Sequence, residues 1–278
     1  MGTDMTNSVH DHFFKKVFSD VTNTRDFLAI ALPEEVKNSL VLTHLTLEPT
    51  SYISEELKDY FTDLVVKTTL KGVETPVDVY IVLEHKSYYD KAIWVQLLHY
   101  MYLMWQQDVN EKNPLRVIIP LVFYHGKQAW DIPLAFRDQF QVPNSLKDYL
   151  LNFKYILFDT HQKDVERTEE LRANVFLVSA LLLMKSVHEG NIEGVKKVFQ
   201  LWEEYGFIHN KRGMFFFFQY ILETKEPEEV KRYLKETKRS KLMTTFVEKI
   251  RQEGEIKGRQ EGRQEGEIKG RQEGEQKS

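Results

Sequence analysis

Glu84, His85 and Lys86 end the stretch DVYIVLEHKS, residues 78–87. In an extended chain the side chains of Glu84 and Lys86 leave the same face, and His85 leaves the other. A carboxylate and an ammonium side by side suit phosphodiester hydrolysis. The acid would hold a divalent cation that polarises phosphate and activates water, and the ammonium would steady the charge that develops. Mg²⁺ takes oxygen ligands near ~2.1 Å, commonly only one or two carboxylates, with water or phosphate oxygens filling the remaining positions. A second acid is therefore needed nearby, and Asp63 is the candidate. The segments TDLVVKTTL and VDVYIVLEHK flank the loop KGVETP, residues 71–76. A symmetric hairpin about that loop sets Asp63 directly opposite Glu84, with Cβ atoms about 4.5–5.5 Å apart. Like charges so placed are destabilising unless a cation lies between them. The same residue types also fit two solvated strand ends with Lys86 paired to one acid, and a one-residue bulge would break the register.

These residues need a sheet to hold them, and the surrounding pattern predicts one. HDHFFKKVFSD (10–20) has Phe14, Val17 and Phe18 at helical spacing. LVLTHLTLEPTSYI (40–53) alternates as a half-buried strand, followed by the two hairpin strands. AIWVQLLHYMYLMWQQ lies in a stretch without Gly or Pro, read as a helix over 90–108. RVIIPLVFYHG reads as a fourth strand, with Pro120 implying an edge position or a distortion. KYILFDT (154–160) is one more strand, and the rest is mainly helical, including GMFFFFQYILE, whose four phenylalanines read as a buried helix. The expected class is α/β (α+β): a core over 8–130, a mostly helical region over 131–250 and a low-complexity tail over 251–278.

That tail repeats glycine every four residues from Gly254 to Gly274 and carries seven acidic and seven basic residues. Each Gly costs a helix about 1 kcal/mol relative to Ala, and only Ile256 and Ile268 are apolar anchors. Two readings stay open: a solvated, partly helical extension, or a helix that associates with its own copy.

Composition excludes several functions. With no cysteine among 278 residues, thiolate metal sites, disulfides and cysteine nucleophiles are excluded. No apolar run is long enough to span a membrane and no secretory leader is evident, so the expectation is a cytoplasmic chain with no membrane partner. A formal charge of −4 provides no global attraction to nucleic acid, so DNA binding would need local cations or a metal.

HDHFFKKVF, YFTDLVV, YIVLEHKS, the helix after it and IIPLVFYHG, in that order, resemble the recombination-promoting nuclease (transposase-like) family, a branch of the PD-(D/E)XK nuclease superfamily. The resemblance is specific over about residues 9–130 and looser beyond. It implies a restriction-endonuclease-like mixed sheet flanked by helices, and DNA cleavage that depends on Mg²⁺ or another divalent cation such as Mn²⁺ and promotes recombination or element mobility. It assigns Asp63 and Glu84 as metal ligands and Lys86 as the catalytic lysine. Many members carry Gln at the Lys86 position, and Thr62 stands where the superfamily motif has its proline. Gln96 and Tyr100 form a Gln-x-x-x-Tyr pair on one helical face, similar to a motif that orients DNA or active-site groups in one nuclease branch. Asp11 and Lys15 occupy polar positions of the first helix with an implied supporting or phosphate-contacting role, and His125 of FYHG has the placement of a structural histidine. The competing function is a catalytically weak or inactive nuclease-fold module that binds DNA or protein, with self-association through the helical half or the tail. A transposase acting on its own element is weakly supported, because no end-recognition helix-turn-helix is evident.

Overall fold

A computed structural model describes residues 2–48, 64–72, 78–162, 174–188 and 192–275. The chain forms two compact units, Met1–His188 and Glu189–Ser278. The first holds a five-stranded sheet: β1 (Thr46–Glu48), β2 (Leu64–Thr69), β3 (Asp78–Lys86), β4 (Val117–Tyr124) and β5 (Ile156–Asp159), in that spatial order. β1, β2 and β3 pair antiparallel, whereas β3, β4 and β5 are parallel. The class is mixed α/β. Parallel strands covered on both faces read as near-continuous apolar runs, which is why VYIVL and VIIPLVFY carry so little alternation.

Helices cover both faces. α1 (Gly2–Phe18) and α2 (Val21–Ala31) lie on one, followed by the short α3 (Glu34–Ser39). Asp20 caps α2 by accepting from the backbone N–H groups of Thr22 and Asn23. Phe14, Phe18 and Phe27 stack in tilted and edge contacts over Phe123 and Phe158 on this face. α4 (Ile93–Asn110) covers the other face, its Trp94, Leu97, Tyr100 and Met104 packed with Val65, Val82 and Val122. α4 also supplies the crossover that parallel β3 and β4 require. α5 (Val175–Ser186) closes this unit; its Asn174 side chain caps it on the Leu177 N–H.

Two strand expectations are corrected. Of residues 40–48 only Thr46–Glu48 is strand. Leu40 makes an isolated bridge to Leu70, and the Val41 carbonyl accepts from the Thr68 hydroxyl, so the chain turns away before it re-enters the sheet; residues 49–53 of the expected strand lie outside the described residues. Pro120 is not on an edge strand, since β4 lies between β3 and β5. The His125 N–H points to the Lys86 carbonyl of β3, so by alternation Pro120 faces the β5 side. Pairing with β5 begins only at Leu121, and the missing donor of Pro120 therefore interrupts no ladder bond.

The second unit is helical: α6 (Glu193–Glu204), α7 (Lys211–Thr224), α8 (Pro227–Glu236) and α9 (Ser240–Glu275). Of the four phenylalanines on α7, Phe217 and Phe218 are buried and Phe215 and Phe216 half-buried, as the apolar run implied. Trp202 meets Phe217 at a tilt and Phe218 edge-on, and Phe218 meets Phe246 at 5.0 Å. α9 is continuous to Glu275 despite its glycines, so the tail's helix formers prevail over them. Among the described residues no helix is long and apolar enough to cross a membrane.

Candidate phosphodiester site at the end of β3

The hairpin register is the symmetric one: Leu64 faces Leu83 and Thr69 faces Asp78. Asp63 itself lies outside the described residues. Glu84 and Lys86 project together onto the α4 face, where both are buried. Lys86 Nζ lies 3.1 Å from Glu84 Oε1, 3.0 Å from Asp90 Oδ2 and 2.6 Å from Gln96 Oε1. Those three acceptors match the three hydrogens of an ammonium. Burial alone would pull the Lys86 pKa down, but the carboxylates of Glu84 and Asp90 outweigh it and hold the pKa above its ordinary value. Lys86 is therefore a fixed cation at neutral pH. The ring of Tyr88, 5.3 Å away, lies beside the same ammonium.

Gln96 links the parts. Its amide oxygen accepts from Lys86, and its Nε2 donates to Glu84 Oε1 at 2.6 Å and to the Tyr100 hydroxyl. The opposite amide orientation would set two donors against each other at Lys86. The Gln-x-x-x-Tyr pair thus meets Glu84 and Lys86 in one network, four of the residues singled out from sequence. Asp90 completes it and was not foreseen. Its Oδ1 accepts from the Ala92 N–H at the start of α4 while Oδ2 holds Lys86; an Asp just ahead of a helix start is the signal that was available.

One atom of this network is left over. Glu84 Oε2 is buried with no hydrogen-bond partner among the described residues. An ionised carboxylate oxygen in that state is costly unless something compensates it, and a hard cation is a fitting ligand for it. Glu84 thus suits a divalent cation. No group of three or more acids or histidines able to hold a metal ion occurs among the described residues.

The other side of β3 is also polar. His85 Nδ1 lies 2.7 Å from Asp11 Oδ1, and its Nε2 lies 2.8 Å from His125 Nε2. His125 Nδ1 contacts the Met184 carbonyl at 3.1 Å. A carbonyl only accepts, so His125 carries its proton on Nδ1 and offers Nε2 as an acceptor. His85 then donates from Nε2 to His125, while its Nδ1 faces the Asp11 carboxylate. His85 is sandwiched between Phe14 and His125, with centroids at 4.5 and 4.9 Å, and His10 and His188 approach His125. Burial and neighbouring histidines push His125 well down, and the same two causes lower His10 to about 4. The Asp11 carboxyl, raised by burial, is pulled below its ordinary value by the bond and charge of His85. His125 is held as a structural histidine, while Asp11 and Lys15, both on α1, stand across the sheet from Glu84 and Lys86. The phosphate-contacting role for Asp11 and Lys15 finds no geometric support, because the sheet separates them from the Lys86 ammonium.

The family model described as "Putative transposase, YhgA-like" matches residues 8–211. The chain belongs to this family. It is 29% identical over 272 residues to the Inactive recombination-promoting nuclease-like protein RpnE of Escherichia coli (strain K12), covering 94% of this chain and 88% of the relative. To the Recombination-promoting nuclease RpnA of the same strain it is 24% identical over 262 residues, 92% of this chain and 87% of the relative. To the Recombination-promoting nuclease RpnD of Escherichia coli O157:H7 it is 29% identical over 157 residues, 55% of this chain and 59% of the relative. No solved structure matches the chain.

Proposed function

We propose that this member of the family is a DNA endonuclease of the PD-(D/E)XK type, dependent on Mg²⁺ or a similar divalent cation, whose cleavage promotes recombination. The observation that carries the reading is the buried, unpartnered Glu84 Oε2 beside a fixed cation. The names of the relatives RpnA and RpnD as recombination-promoting nucleases support it. Glu84 and Asp63 are the residues that would hold the cation. When bound, such a cation polarises a phosphate oxygen and lowers the pKa of a water.

The chain's own residues supply the rest. Gln96 donates to Glu84 Oε1 and so leaves Oε2 as the oxygen available for the cation. Tyr100 fixes Gln96 through its hydroxyl. Lys86, kept charged by its two carboxylate neighbours, neutralises charge that builds on phosphate in the transition state. All three of its hydrogens are already engaged, so a phosphate oxygen must displace one acceptor. Asp90 is the least buried of the two carboxylates on Lys86, and it is the one that yields.

Purified chain is expected to nick plasmid DNA with Mg²⁺ and to stop when EDTA is added. Glu84→Gln and Asp63→Ala should each fall below ~1% of the wild-type rate, the size of losing a principal electrostatic stabiliser. Undiminished cleavage by Glu84→Gln would remove this site from the reaction. A second reading has one observation in its favour, the relative named inactive: a nuclease-fold module that binds without cutting. It predicts DNA binding and no cleavage by the wild-type chain in either Mg²⁺ or Mn²⁺.

A further inference from the structure

β5 ends in a buried acid that holds a histidine of the following turn in place. Asp159 is 3% exposed, and its Oδ1 accepts from the His161 backbone N–H at 2.9 Å and lies 3.0 Å from the same residue's ring Nδ1. Its Oδ2 accepts from Gln162 Nε2 at 3.2 Å. A carboxylate only accepts, so His161 carries its proton on Nδ1. Nε2 is then the nitrogen left to face a ligand, on a side chain 40% exposed. Every oxygen of a buried acid is thus spent on orienting this short segment.

The strand register ties that histidine to the Glu84 site. Lys86 pairs with Tyr124 and Tyr124 with Asp159, so the three side chains form one row on one face of the sheet. With strands about 4.8 Å apart the row spans ~10 Å, close to the rise of about three nucleotides along one strand of a duplex. All three positions are at the carboxyl ends of parallel strands, where open α/β sheets bind their ligands. The loop after β4 adds another cation. Its Gly126 is required there, because a Cβ would meet the Tyr124 ring at 2.5 Å, and the Tyr124 hydroxyl donates to the Gln128 carbonyl at 2.5 Å. Between those two anchors Lys127 is exposed.

We infer that the carboxyl ends of β3, β4 and β5 form a phosphate track for a nucleic-acid strand, with Lys127 and His161 binding phosphates that flank the one at Lys86. The inference rests on the nuclease reading for its substrate and extends it by two binding residues. In the complex Asp159 keeps hold of the ring at Nδ1, and a phosphate oxygen accepts from the Nε2 side. His161 binds the substrate strand, and Asp159 is its positioning residue.

Binding of a fluorescein-labelled DNA oligonucleotide, followed by anisotropy with Ca²⁺ in place of Mg²⁺ over a range of salt, tests this. His161→Ala and Lys127→Ala should each weaken binding about tenfold, the size of one charge-assisted hydrogen bond. Each should also reduce the slope of log affinity against log salt by about one. His161→Arg should restore both, which a purely structural role for the ring would not allow. Asp159→Asn should resemble His161→Ala, and the exposed His161 and Lys127 variants keep the test valid if the buried change unfolds the chain. Wild-type affinity and slope in both alanine variants would overturn the track, as would absence of DNA binding by the wild type. If Glu84→Gln cuts normally while His161→Ala binds poorly, the track stands and the cleavage site is wrong. If cleavage depends on Glu84 and neither alanine variant alters binding, the reverse holds.

Discussion

The end of β3 carries two polar sites back to back. On the α4 side, Glu84, Lys86, Asp90, Gln96 and Tyr100 share hydrogen bonds, yet Glu84 Oε2 has no partner among the described residues. On the α1 side, both nitrogens of His85 and both of His125 are engaged by Asp11, by each other and by the Met184 carbonyl. Both networks are buried and both contain charge. Burial of polar groups therefore does not by itself separate a working site from a structural one. The difference is an acceptor left over on the α4 side, Glu84 Oε2, which is the observation that the proposed cation site rests on. The histidine side is closed on itself and acts as a pin that fixes the strand end from behind.

Removing one member from each side should break this comparison by different amounts. Lys86→Met has the largest expected effect, because it leaves the buried Glu84 carboxylate without its cation. A loss of about 3–5 kcal/mol is expected by denaturant unfolding, and adding Glu84→Gln should recover much of it. A double variant no more stable than Lys86→Met would mean that the ion pair is not what matters. Acid comes next and separates the two sides. His10 is neutral in the folded chain down to about pH 4, whereas an unfolded histidine takes its proton near 6.5. Between those values the unfolded state binds more protons, so stability falls as pH falls, by about 3 kcal/mol from His10 alone, with His125 adding in the same direction. Lys86 works the other way. Its raised pKa contributes fully below the ordinary lysine value and is lost only in alkali. Unfolding midpoints from pH 7 to 4 should therefore drop in the wild type and drop less in His10→Gln; equal slopes would remove His10 from the account.

His125→Phe follows in size. Phenylalanine keeps the ring stack but leaves the buried Nε2–H of His85 without an acceptor, a cost of about 2 kcal/mol. A neutral result would show that this contact contributes packing and no hydrogen bond.

The two sides were unequally legible in the sequence. The front network is short-range: Glu84 and Lys86 are two residues apart, Gln96 and Tyr100 are four apart on a helix, and loop length alone set the β2–β3 register now seen from Leu64 to Thr69. Periodicity and spacing carry that kind of information. Asp11, His85 and His125 are separated by 74 and 40 residues, and no local pattern connects them. They meet because α1 crosses the sheet where β3 and β4 end. That His85 turns away from Glu84 was readable from alternation, but what it turns toward was not. Pro120 misled for a related reason: a proline reports a missing donor, and whether a neighbour needs that donor depends on where β5 begins. The Asp159–His161 pair was passed over because an acid and a histidine two apart after a strand look like an ordinary turn.

The smallest expected effect concerns Asp11, whose side chain is 38% exposed. Screening by water trims whatever its charge contributes, so the acceptor should matter more than the charge. Asp11→Asn keeps an oxygen to face His85 Nδ1 and should cost well under ~1 kcal/mol, whereas Asp11→Ala removes the acceptor and should cost about 1 kcal/mol. Measured above pH 5, the carboxylate is fully ionised, because its lowered pKa places its titration below the ordinary range. Equal losses for the two variants would show that the charge of the Asp11 carboxylate is what pins the strand. A clear gap between them would show that geometry alone does so.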